Sequence, residues 1–203
     1  MKRFYKDVSV AAEGEGHAIQ LDGRPVKTPQ RNALALPTLT LAEAVARERA
    51  RIVSRIAAFA DSDMLYYRAD EGQQALIDHQ TLHWDPLLDW ARQRYDVSFH
   101  LVYGIRYKAQ PAETLERLAE AVEAQDDFAI AAMLSLVGLS GSLIATLALV
   151  EQDYDSSTLW PLVNLEELWQ EQQWGRDAQA VAARGIKQAE FEAAARFLDL
   201  SRR

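Results

Sequence analysis

Phe128 to Val150 reads FAIAAMLSLVGLSGSLIATLALV, 23 residues without a charged side chain. That length meets the criterion for crossing a bilayer. Two features argue against a membrane span. The stretch contains Ser135, Gly138, Ser140, Gly141, Ser142 and Thr146, and its flanks are acidic, Asp126 and Asp127 on one side, Glu151 and Asp153 on the other. A span anchored at the interface asks for the opposite, basic residues close to its ends. A segment apolar all round and not in lipid belongs at the centre of a helical bundle. The expectation is one central helix whose glycines and serines let neighbouring helices come close.

Working outward from it, helical periodicity covers most of the chain. Val45, Ile52, Ile56 and Phe59 fall on one stripe of a helix predicted over Leu39 to Ala60, with Arg49 interrupting that stripe. Asp85-Pro86 pairs an N-cap residue with the residue preferred at the first helical position, so a second helix is predicted to start there, with Leu87, Leu88, Ala91 and Tyr95 on its buried face. Val97 to Val102 alternates and predicts a short strand. Pro111 restarts helix, with Leu115, Leu118 and Val122 in line. Two further helices are expected beyond the uncharged stretch, Ser156 to Trp174 and Asp177 to Leu200, divided by Gly175 as a helix stop.

The first part of the chain differs. Val8 and Val10 begin an alternation, Glu13-Gly14-Glu15-Gly16 predicts a turn, and Ile19 and Leu21 share a face before Asp22-Gly23. Asp-Gly between such runs predicts a hairpin that sets Ile19 against Val26. Pro25 and Pro29 confine the second strand to an edge or end it early. The fold class expected is α+β: a small antiparallel β-rich N-terminal domain carrying one helix, over residues 1–60, and a larger all-helical bundle over 61–203.

Composition narrows the function. Of 203 residues, 30 are acidic and 22 basic, giving a net charge of −8, which disfavours nucleic acid and anionic membrane surfaces as partners. The absence of cysteine removes disulfide scaffolds, thiolate metal sites and cysteine nucleophiles. Met1 leads directly into structured sequence without an export signal, so the expected compartment is the bacterial cytoplasm, or the mitochondrial matrix for a processed eukaryotic form.

Familiar chemical motifs are incomplete. Gly14-Glu15-Gly16 lacks the third glycine of a dinucleotide loop, and no phosphate-binding G-x-x-x-x-G-K-[ST] occurs. Gly138-Leu139-Ser140-Gly141-Ser142 has the wrong spacing for a nucleophile elbow and is expected to serve helix packing. His79 and His83, with Asp85 nearby, share a helical face but lack the pattern of a zinc enzyme, so no metal and no cofactor are expected. Glu166, Glu167 and Glu171 suit general acid and base work in principle, and a small hydrolase using Glu166 and Glu167 is the alternative reading. An acidic helix face held ready for a basic partner is the other.

Several blocks, in order, resemble one family, the ATP synthase assembly chaperones specific for the alpha subunit (the ATP-twelve family). They are Lys2-Arg3-Phe4-Tyr5, Leu21-Asp22-Gly23-Arg24-Pro25-Val26-Lys27-Thr28-Pro29, Tyr66-Tyr67-Arg68, Trp84-Asp85-Pro86-Leu87-Leu88-Asp89-Trp90-Ala91, Leu139-Ser140-Gly141-Ser142-Leu143, and Leu165-Glu166-Glu167 through Gln173-Trp174-Gly175. The resemblance implies a β-rich N-terminal portion, a helical C-terminal domain and a role without enzymatic activity. The partner it implies is the free alpha subunit of the ATP synthase catalytic sector, shielded from aggregation until beta covers it. No nucleic acid, no integral membrane span and a monomer are expected. The family's functional acidic residue falls by position on Glu167, with Glu166 beside it, and Trp169 and Trp174 on the same segment complete the expected partner-binding set. Two departures stand out: Arg49 occupies a position where the family has tryptophan, and Ala50 runs directly into Arg51 where relatives carry a longer segment.

Overall fold

The computed structural model describes residues 8–13, 16–21, 23–26, 35–36 and 39–202. Within them a small antiparallel sheet precedes a larger helical part, the α+β arrangement expected. Strands β1 (Val8–Glu13) and β2 (Gly16–Leu21) pair antiparallel from Val8↔Leu21 to Glu13↔Gly16. β3 (Arg24–Pro25) pairs with the end of β2 across Gly23, whose φ of +76° is the positive value an Asp-Gly turn calls for. Val26 N donates to Ile19 O at 2.8 Å, the opposition predicted from sequence. β4 (Ala35–Leu36) pairs with the start of β2. Lys2-Arg3-Phe4-Tyr5 and Lys27-Thr28-Pro29 lie outside the described residues.

Helix α1 (Leu39–Ala57) packs on β2 and ends in a 3-10 turn, Ala58–Asp61. Ile56 and Val53 are buried, and Ile52 and Phe59 pack on the same core. The helix runs unbroken through Ala50–Arg51. Arg49 is accommodated on the buried stripe by partners: Nε meets Asp127 Oδ1 at 2.7 Å, and one terminal nitrogen donates to Glu123 O at 3.2 Å and Gln125 O at 2.8 Å. Those carbonyls close helix α3 (Ala112–Glu123) and Asp127 opens α4 (Asp127–Ser140), so the cation sits at the negative end of one helix dipole beside an acidic first turn.

The remaining helices are α2 (Gln74–Tyr95), α5 (Leu143–Val150), α6 (Ser156–Val163), α7 (Leu165–Trp174) and α8 (Ala178–Ser201). The core gathers α1 to α6 and the second half of α8, with Trp84, Leu87, Leu88, Leu118, Val122 and Phe191 each no more than 1% exposed. Asp177 caps α8, accepting from Gln179 N and Ala180 N, and Gly175 ends α7, as the sequence predicts.

Four expectations are corrected. The uncharged stretch is two helices rather than one. Gly141, at φ +68°, terminates α4, and Ser142 starts α5 by accepting from Ala145 N at 3.0 Å. At about 1.5 Å per residue neither piece spans a bilayer core, and among the described residues no helix is long and apolar enough to cross a membrane. The central place falls to α5, all eight of whose residues are buried.

The second helix begins at Gln74 instead of Pro86. Pro86 lies inside it, and Leu82, whose carbonyl thereby loses a donor, is 69% exposed, so water can take the donor's place. The segment from Ser156 to Trp174 is likewise divided, at Asn164.

Of Val97–Val102, only Val102 is strand: β6 (Val102–Tyr103) pairs in parallel with β5 (Tyr67–Arg68). The preceding residues find side chains where a strand would have been. Gln110 accepts from His100 N at 2.9 Å and donates to His100 O at 3.0 Å, and Thr114 Oγ1 donates to Ser98 O at 2.7 Å. Two polar side chains there satisfy backbone groups that a ladder would otherwise satisfy.

Candidate functional site

Helices α7 and α8 are joined by a tight connection through Gly175 and stand as an arm. From Arg176 to Glu190 every residue is exposed apart from Arg184. This first half of α8, unlike the second half in the core, gains little from tertiary packing. Its fixing point is ionic: Arg184 reaches back to α7, meeting Glu171 at 2.6 Å and Glu167 at 3.2 Å. The Glu171 and Arg184 side chains are 13% and 12% exposed, whereas Glu167 is 55% exposed. Hydrogen bonding to Glu171, then to Glu167, raises the Arg184 pKa, so the clamp stays charged.

The four residues expected to bind a partner divide into two pairs. Glu166 is exposed but reaches the body of the protein: Gln80 Nε2 donates to its Oε1 at 2.6 Å, and Gln80 Oε1 accepts from Ala69 N at 2.9 Å. Gln80 is fully buried, so Glu166 ties α7 to α2 and to the chain after β5. Trp169 also faces the body, half-buried against the core with its ring 4.9 Å from that of His79. Burial and then the neighbouring His83 hold the His79 pKa below the ordinary imidazole value.

Glu167 and Trp174 line the side of α7 nearer α8. Trp174 is 79% exposed and lines, with Glu167, Glu171, Ala180, Arg184 and Lys187, an open groove of about 450 Å³ between α7 and α8. Trp174 and Ala180 give the groove apolar lining, Glu167 and Lys187 stand exposed along it, and the Glu171–Arg184 pair is its most buried part. An exposed aromatic ring with charged groups around it is a composition also found at polypeptide-binding surfaces.

Arg184 and Lys187 were not singled out from sequence. They come into play because α8 doubles back on α7, and that juxtaposition has no local sequence signal. The two carboxylates of the hydrolase alternative do not converge: Glu166 is held by Gln80 and Glu167 by Arg184. His79 and His83 approach each other at 4.5 Å between ring centroids, but no group of three ligand-type residues suited to a metal occurs among the described residues.

Comparison with known proteins agrees with this architecture. A family model described as ATP12 chaperone protein matches residues 2–49 and 46–92. The crystal structure of Atp12 from Paracoccus denitrificans superposes with a TM-score of 0.71 at 30% identity, covering 98% of this chain and 98% of that one. A mutant of the Paracoccus protein gives 0.72 at 29% identity, over 98% and 97% of the two chains. The Atu1473 protein of Agrobacterium tumefaciens gives 0.69 at 32% identity, over 97% of this chain and 84% of its own. Matched in fold along nearly its whole length and in sequence through both β-rich and helical parts, the chain belongs to the ATP12 chaperone family.

Proposed function

We propose that this chaperone of ATP synthase assembly holds the free alpha subunit of the catalytic sector, as a monomer in the bacterial cytoplasm, and docks it on the α7–α8 arm. The observation that carries the reading is the arm itself: a helical hairpin left exposed from Arg176 to Glu190, with Trp174 projecting beside the half-free carboxylate of Glu167. An unpartnered alpha subunit exposes apolar surface that beta later covers, and that surface aggregates if left bare. Covering it reversibly calls for one apolar anchor with charged surroundings, so that contact forms quickly and still releases.

Trp174 supplies the anchor, and Glu167 engages a basic group on the client, its remaining carboxylate capacity left open by the preference of Arg184 for Glu171. Glu166 and Trp169 act behind them, seating α7 on α2. A pull-down with tagged protein tests the reading: recovery of alpha subunit from a lysate supports it, and recovery of beta alone contradicts it.

A further inference from the structure

Away from the arm, Ile105 is 98% exposed, with Tyr103 at 50% and Tyr107 at 63% on either side of it. Arg106 and Lys108 alternate with these three, and neither makes an ion pair among the described residues. Both legs of this loop are pinned. On the way out, Gly104 N donates to Arg68 O at 3.0 Å, and Gly104 holds φ +78° in a place where a Cβ would run into the Asp70 carboxylate. On the way back, Tyr107 Oη donates to Asp61 Oδ2 at 2.6 Å, Gln110 N donates to Asp61 Oδ1 at 3.3 Å, and the Gln110 side chain grips His100. Asp61 at the base is thus engaged, and the tip presents an isoleucine between two aromatic rings and two unpaired cations.

Leaving a large apolar side chain in water forgoes the free energy gained by burying it. Holding it on a rigid loop reduces the ordering cost when a partner covers it. We propose that the 103–108 loop is a second docking contact, in which Ile105 enters an apolar socket on the client polypeptide and Arg106 and Lys108 meet acidic side chains on the socket's rim. The proposal rests on the client reading above. A protein socket fits better than a lipid surface, because each cation adds only modestly to attraction by an anionic bilayer and two cations stand against a chain of net charge −8. A rim within contact distance is felt locally, inside the screening length.

Isolated alpha subunit is titrated calorimetrically against the unmodified protein, Ile105→Asp, and the double variant Arg106→Glu with Lys108→Glu, with anionic phosphatidylserine vesicles as a parallel arm. Both variants are expected to bind alpha about tenfold more weakly or worse, with unchanged thermal unfolding because the altered side chains are exposed. Equal affinity in all three proteins overturns the contact and leaves the arm reading intact. Failure of the unmodified protein to bind alpha overturns the client reading and this contact with it. Vesicle binding that Ile105→Asp abolishes, without change in alpha affinity, overturns the protein socket in favour of lipid.

Discussion

The carboxylate of Asp63 caps helix α5 from outside that helix: its Oδ2 accepts from the Ser142 hydroxyl at 2.9 Å and from Ile144 N at 2.9 Å, while Oδ1 accepts from Leu65 N at 3.0 Å. Asp63 and Ser142 are both fully buried, 79 residues apart in sequence. The break between α4 and α5 is therefore locked to the turn after α1, at the centre of the molecule. The free donors of a helix N-terminus favour an anion there.

Burial outweighs those hydrogen bonds and pushes the Asp63 pKa up from 3.8 to about 6. With the folded pKa above the unfolded one, the folded protein binds this proton more tightly. Stability contributed by Asp63 is then full below about pH 4, declines as pH rises towards 6, and stays low above that. Asp63→Asn should flatten this component, seen as a smaller difference between urea midpoints at pH 4.5 and pH 7 than in the unmodified protein. At pH 7 the amide should also cost about 1–3 kcal/mol, because its NH₂ faces donors. An unchanged pH response would show that Asp63 does not titrate in this range.

Two blocks that carry the family resemblance meet in space. Arg68 of Tyr66-Tyr67-Arg68 contacts Asp85 of Trp84-Asp85-Pro86 at 2.5 Å, donates to Leu65 O at 3.0 Å, and lies 5.1 Å from the centroid of the Trp84 ring. Trp84 in turn donates to Leu162 O at 2.8 Å. Asp85→Ala strands a guanidinium only 3% exposed and should destabilise the fold by about 2–3 kcal/mol in urea unfolding. These blocks specify the fold rather than the contact with a client, so the loss should appear in stability before it appears in affinity.

Arg184→Ala should loosen the arm while sparing the core. With its clamp gone, the first half of α8 keeps little tertiary contact, and amide exchange over residues 178–190 should quicken about tenfold or more, with α5 unchanged. Equal protection in both proteins would mean that the arm is held by something other than the pairs with Glu167 and Glu171.

Much of this architecture is legible in the sequence because it is local. Asp22-Gly23 announces the hairpin, the 3.6-residue stripe through Ile52 and Ile56 announces α1, and Asp177 announces the start of α8. The break at Gly141-Ser142 had its signals in plain view, a glycine stop followed by a serine cap, but uniform hydrophobicity masked them. Pro86 misled because the helix tolerates it on an exposed turn. Tertiary pairings stayed hidden: the ions around Arg49, the capping of α5 by Asp63, and the return of Arg184 to α7 all join residues far apart in the chain. For the same reason the different partners of Glu166 and Glu167, Gln80 and Arg184, were hidden although the two are adjacent in sequence.

The docking arm is tested most directly by the affinity of isolated alpha subunit for the unmodified protein and for Trp174→Ala. Trp174 is 79% exposed, so its removal should leave thermal unfolding unchanged. Binding of alpha should weaken about tenfold or more, as for an aromatic anchor at the centre of an interface. Equal affinity in the two proteins, or binding of beta in place of alpha, would contradict docking of the alpha subunit through the arm.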